Sequence, residues 1–228
     1  MVIRKMIRAL SLSMVALTLI ATLNQQAKAG PPLICHPLDI GNAKSLPWSG
    51  SAWRAIKTDY NIARLVADTL TLLDSDMPVI VRMETLRRAS VYASQNRTVA
   101  VELRSRLAAR TNNRTGKAGA LAHFDLGYIE ETYKQLIAIS GNMSFAKNLN
   151  GYSSVVKAIA LRGGDVDMEF AAALITERPR LGSHDEHFRK AVEGASEGSL
   201  LARNLVTHFA NRGRSMAEIK ARLGIAKN

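Results

Sequence analysis

From Ser51 onward, apolar residues recur at intervals of three and four, the spacing that lines one face of an α-helix. Trp53, Ile56, Tyr60, Ala63, Ala67 and Leu70 form a first stripe and predict a helix over residues 51–73. Asp74-Ser75-Asp76 breaks the pattern, and Pro78 stands where a first helical turn tolerates proline. Val79, Met83, Leu86 and Ala93 carry a second stripe; Val99, Leu103 and Leu107 carry a third, which ends in the loop 112–116. Over 118–140 a longer stripe sets Leu121, Phe124, Tyr128, Ile129, Tyr133, Leu136 and Ile137 on one side before Gly141-Asn142. Tyr152, Val155, Val156 and Ile159 predict a further helix, stopped at Gly163-Gly164. Asp165 then reads as the N-cap of a helix through Phe170 to Ile175, closed by Pro179. Ser183 with Glu186, and Ser215 with Glu218, have the spacing of capping boxes, and Gly224 before Ile225 suits a helix end with its hydrophobic contact.

No segment alternates convincingly as a half-buried strand would, so the expected fold is all-α. Antiparallel helical hairpins would stack as a bundle or a short irregular solenoid; units at 118–140, 152–162 and 165–177 repeat without a strict period. The stretch GPPLICHPLDIGNAKSLPW, residues 30–48, is different. Pro31, Pro32, Pro37 and Pro47 oppose a helix, while Leu33, Ile34, Leu38, Ile40, Leu46 and Trp48 offer apolar area to bury. We expect an extended, proline-rich arm over 30–50, laid across a single helical domain at 51–228 like a strap. Left undocked, it would be a partner-binding peptide.

The amino end changes the setting. Arg4, Lys5 and Arg8 precede an apolar run over 9–23, and Ala27-Lys28-Ala29 places small residues where a signal peptidase reads them. The run is shorter than a membrane-spanning helix needs, and no later stretch approaches that length. Residues 1–29 are therefore expected to be a cleaved signal peptide, with the mature chain exported to the periplasm or beyond and without a membrane span. Their loss would lower the formal net charge of +12 by four, to +8. A basic chain favours acidic partners. Nucleic acid fits poorly, because the basic residues are not interleaved with stacking aromatics. The single cysteine cannot form an internal bridge.

AGALAHFDLGYIEETYKQL, residues 118–136, is similar to the first helix of a tetratricopeptide-type unit, with Gly127 at a crowded helix contact and Tyr128 on the packed face. KAIALRGGDVDMEFAAAL, residues 157–174, resembles the helix, Gly-Asp turn and alanine-rich helix of such units. No tryptophan opens the unit and no repeat of ~34 residues registers. The chain as a whole also resembles uncharacterised exported bacterial proteins: a signal, a Cys-His-Pro and Lys-Ser-Leu-Pro-Trp segment, then alanine-rich helices ending in Leu200-Leu201-Ala202-Arg203-Asn204-Leu205. The resemblance implies a bacterial envelope setting and no particular activity.

Several residues carry candidate chemistry. Cys35 beside His36 could be a thiol site, a ligand pair or the link of a covalent dimer, although adjacent residues in an extended chain face opposite ways. His184 and His187 share a helix face, and His208 could complete a metal site for a hydrolase; a zincin would instead space its histidines four apart around a glutamate. Glu130-Glu131 and Asp165 with Asp167 are paired carboxylates, but no aromatic-rich sugar groove surrounds them. Nucleophile-elbow, Ser-x-x-Lys, phosphate-loop and dinucleotide motifs do not occur. The sequons at Asn96, Asn113 and Asn142 matter only in a eukaryotic secretory pathway. The favoured function is thus a binding or scaffolding protein that needs no cofactor. Its groove would present Tyr128, Tyr133 and Tyr152 as aromatic contacts, with Lys134 and Arg162 selecting acidic segments of a protein or peptide partner.

Overall fold

The segment VIVRMETLRRASVYA has a polar share that suggests a solvent face, yet it forms the centre of the molecule. Every residue of this helix except Arg88 is buried. The computed structural model describes residues 30–74, 77–112, 114–178 and 181–225. The predicted signal peptide, the helix breaks at Ser75, Asp76 and Pro179, and the sequon asparagine Asn113 lie outside them.

Among the described residues the elements are helical throughout. They are α1 (Pro32–Cys35), α2 (Leu65–Asp74), α3 (Val79–Ala93), α4 (Arg97–Asn112), α5 (Gly116–Leu136), α6 (Gly151–Leu161), α7 (Val166–Thr176), α8 (His184–Gly194), α9 (Leu200–His208) and α10 (Met216–Arg222). Short 3-10 segments occupy Ile62–Arg64 and Gly141–Asn148. Successive helices pack as hairpins, most closely α5 on α6 and α7 on α8, with α3 against α5 and α7. One buried apolar core joins the arm to the helices, and Pro31–Asn228 forms one unit.

Two glycines explain how α5 and α6 come so close. A Cβ at Gly127 would lie 2.4 Å from the carbonyl oxygen of Gly151, and one at Gly151 would lie 2.2 Å from that of Gly127. The two backbones touch where neither residue has a side chain. On the other hairpin, a Cβ at Gly194 would meet Cγ1 of Val166 at 2.2 Å.

The arm is a strap, as its composition suggests. Leu33, Ile34, Leu38, Ile40 and Leu46 are buried. Charged side chains of α3 hold its backbone. Glu84 accepts from the Leu38 amide at 3.0 Å and from Arg87 and Arg88, while Arg87 donates to the carbonyls of Ile34 and Trp53 and Arg88 to that of Leu46. Trp48 lies against both guanidinium groups, 4.9 and 5.7 Å from its ring centre. At the far edge Asn204 of α9 exchanges two hydrogen bonds with the backbone of Asp39.

Three expectations are corrected. The arm is not extended throughout, because α1 makes one turn at Pro32, where the missing amide donor is harmless. The helix expected over 51–73 begins only at the 3-10 turn Ile62–Arg64, capped by Asn61. Trp53, Ile56 and Tyr60 pack on the core from irregular backbone instead, with the Trp53 carbonyl engaged by Arg87 and the Lys57 amide by Tyr92. Finally, Ser183 makes no capping bond to α8. Three other end signals hold, whereas Glu218 bonds the amide of Arg214 rather than that of Ser215, and the helix expected over 118–140 ends at Leu136. Asp165 accepts from the amides of Asp167 and Met168, Ser215 accepts from that of Glu218, and Gly224, at φ +66°, lets Ile225 close back on Lys220.

Candidate functional site

Ser183 is diverted from capping by a chain of side-chain hydrogen bonds that ties α6, α7 and α8 together. Its hydroxyl lies 2.7 Å from that of Tyr152, which lies 2.7 Å from Nε2 of His187. Nδ1 of His187 bonds Oε2 of Glu169. The carboxylate accepts from Nδ1–H; in the neutral imidazole Nε2 then carries the lone pair, with Tyr152 donating to His187 and Ser183 to Tyr152. Glu169 and His187 are buried, Tyr152 and Ser183 half-buried. Lys190 stands outside, 3.6 Å from the second Glu169 oxygen and 2.7 Å from Glu186. Glu186 therefore pairs with Lys190 rather than closing a capping box.

Sequence reasoning missed this chain, but a signal for it exists. Glu169 is the one charge in the apolar run from Met168 to Ile175, and a buried carboxylate requires a partner. The same signal marks Asp125 between Phe124 and Leu126. It bonds Arg82 at 2.9 and 2.6 Å in the core.

Outward from the hydrogen-bonded chain, α6 presents Ser153, Val156, Lys157, Ala160 and Leu161 to solvent. These positions share one helix face. Val156 is 39% and Leu161 50% exposed, unusual for large apolar side chains in this molecule. Tyr152 borders the strip, and at its end Arg162 bonds Asp165 at 2.9 Å.

Of the predicted aromatic contacts, only Tyr152 reaches the surface. Tyr128 and Tyr133 are fully buried, which removes them from any groove. Tyr128 stacks with Phe124, and Tyr133 donates to the carbonyl of Ala100 at 3.2 Å. Burial pushes both phenols well above their ordinary value. Lys134 is partly exposed and pairs with Glu131 at 3.0 Å, away from Arg162 in its bonding. Cys35 is half-buried, and its thiol is pushed up by burial, with Arg87 opposing. That environment favours the protonated thiol over a reactive thiolate. The neighbouring His36 meets the edge of His208 at 5.9 Å between ring centres.

The three imidazoles of the metal reading each meet other groups. His187 engages Glu169 and Tyr152 as described. His184 sets Nδ1 on the carbonyl of Ala173 at 3.0 Å and Nε2 near Arg212 at 3.3 Å. His208 packs edge-on against Phe170 and His36. Among the described residues no group of three His, Cys, Asp or Glu side chains could hold a metal ion. No helix among them is long and apolar enough to cross a membrane. No protein family, curated protein or solved structure matches the chain.

Proposed function

We propose that the protein is an exported helical binding or scaffolding protein of the bacterial cell envelope, and that the outer face of α6 holds a protein or peptide partner. One observation carries the reading: Val156 and Leu161 stand exposed on a single helix face with Lys157 between them. Isolated exposed apolar residues are ordinary, whereas a face of them with a basic centre suits an amphipathic partner segment bearing acidic residues. Beneath the face, the Ser183 to Glu169 chain fixes Tyr152 and so holds α6 on α7 and α8. The signal-like amino end and the likeness to tetratricopeptide-type hairpins agree with this role.

A photo-crosslinking residue at 156 or 161, introduced in the native host, should yield one discrete adduct in the exported fraction, lost in Leu161→Glu. The same group at exposed Val101 on α4 should not yield it. Adducts common to all three positions, or none, would reject the α6 face. Retention of the unprocessed chain in the cytosol would reject export.

A second reading rests on the hydrogen-bonded chain itself. An acid, an imidazole and a phenol in series can draw a proton from the Ser183 hydroxyl, as nucleophilic catalysis requires. A fluorophosphonate probe that labels Ser183 in the native chain, and not in His187→Gln, would support metal-free acyl transfer; an unlabelled Ser183 would remove it.

A further inference from the structure

The sequence holds one Asn-Gly pair, Asn150-Gly151, at the start of α6. Such a pair is chemically labile, because glycine leaves its own amide nitrogen unhindered beside the asparagine side chain. That nitrogen can attack the side-chain carbonyl carbon. A C–N bond forms, the side-chain nitrogen leaves as ammonia with the proton of the Gly151 amide, and a cyclic succinimide remains. Water then opens the ring at either carbonyl, giving aspartate or isoaspartate.

Asn150 is exposed, so water reaches its side chain, but the backbone around it opposes the attack. At ψ 69° the Gly151 nitrogen lies anti to Cβ of Asn150, on the far side of the Cα–C bond from the carbon it must reach. The ring closes only when that nitrogen eclipses Cβ. Turning ψ by about half a revolution must displace either Gly151 or Leu149, because the peptide unit between the two Cα atoms is rigid. Gly151 is pressed onto α5: a Cβ there would lie 2.2 Å from the Gly127 carbonyl oxygen and 2.9 Å from Cβ of Glu130. The next amide, that of Tyr152, donates to Glu131 at 2.9 Å. Ser153 bonds Asn150 twice, its amide to Oδ1 at 3.4 Å and its hydroxyl to the main-chain carbonyl at 2.9 Å. Holding α6 still and turning the preceding chain instead would pull Leu149 off the core.

We propose that Asn150-Gly151 is a deamidation site that the seating of α6 on α5 holds shut, and that it reacts when this hairpin parts. Isoaspartate at position 150 lengthens the main chain by one carbon where the two backbones touch. A reaction in the parted state therefore keeps the helices from closing again. The chemistry converts a transient local opening into lasting damage to α6, and with it to the face that carries Val156 and Leu161. The inference stands whether or not that face holds a partner.

Peptide mapping by mass spectrometry, with isoaspartate resolved from aspartate, reads the reaction directly. In mildly alkaline buffer the intact chain should convert Asn150 at least about tenfold more slowly than in the same buffer with denaturing urea, because only the opened fraction reacts. Gly127→Ala, which forces the helices apart, should raise the rate without urea several-fold toward the rate in urea. Equal rates with and without urea would overturn the proposal. So would slow conversion in urea, since the pair would then not be labile. An Asn150 as protected in folded Gly127→Ala as in the parent would show that the α5 contact is not the gate. If that variant fails to fold, the two rates of the parent chain still decide.

Discussion

Replacing Gly127 with alanine tests how closely α5 and α6 approach. The new Cβ would sit 2.4 Å from the Gly151 oxygen and 2.9 Å from both the amide nitrogen and Cγ2 of Val155. The first distance is roughly 1 Å inside ordinary contact. The obstructing atoms are mostly backbone, so no flexible side chain can swing aside, and the helices must part or slide. Overpacking of this kind costs about 3 kcal/mol at the upper end of its usual range. Alanine recovers about 1 kcal/mol of helix propensity. The net loss is about 2 kcal/mol, or roughly 4–8 °C for a domain of this size. Gly141→Ala is the control, because nothing lies within 4 Å of its Cβ and its φ is not positive. Urea unfolding followed by far-ultraviolet circular dichroism would compare the two. If Gly127→Ala proves as stable as Gly141→Ala, the backbones do not cross there and the account of this hairpin is wrong.

Other consequences can be checked with the same preparations. Glu84→Ala strands Arg87 without its carboxylate in the core, with an expected loss of about 3–5 kcal/mol. Limited proteolysis should then cut first between Gly41 and Trp53; an arm no more susceptible than in the parent would contradict the clamp. Asp167 is held up at about 6, first by burial and then by Asp165, with Arg162 opposing. Its folded value exceeds the unfolded one, so its stabilising contribution is full below about pH 4, falls as pH rises toward 6 and is absent above. Asp167→Asn should flatten that fall, worth about 3 kcal/mol at most, and raise stability at pH 7; equal slopes in the two proteins would refute the assignment. Tyr152→Phe removes both bonds of the phenol and should lower stability by about 1–3 kcal/mol while leaving α6 in place, measured as loss of hydrogen-exchange protection at α8. Unchanged protection would show that Tyr152 does not bind α6 to α8.

The sequence made the helices from Val79 to Ile175 legible because their apolar spacing and their Asp, Gly and Asn punctuation agree. The crowded contact at Gly127 is suggested by the likeness to a tetratricopeptide-type helix, not by spacing. The stretch 51–61 misled because Trp53, Ile56 and Tyr60 keep helical spacing while packing from irregular backbone, and Arg87, which engages the Trp53 carbonyl, lies far away in sequence. Tyr128 and Tyr133 could be read as groove or core, since periodicity fixes which residues share a face but not what covers that face. Ser183 shows the same limit at one residue: its spacing to Glu186 suits a cap, but Tyr152, distant along the chain, offers a competing partner.

The bonds between Asp39 and Asn204 close a sequence separation of 165 residues. Contacts of that span slow folding, because a long loop must be ordered before they form. A chain synthesised from its amino end can therefore dock its arm on α3 early, but the outer end of the strap at Asp39 stays unlatched until α9 has emerged. A nascent chain truncated before Leu200 would keep the Glu84 clamp but lack the outer latch. The time to acquire protease resistance should accordingly depend on Asn204, even though that residue lies far from the α6 face in the order of the chain.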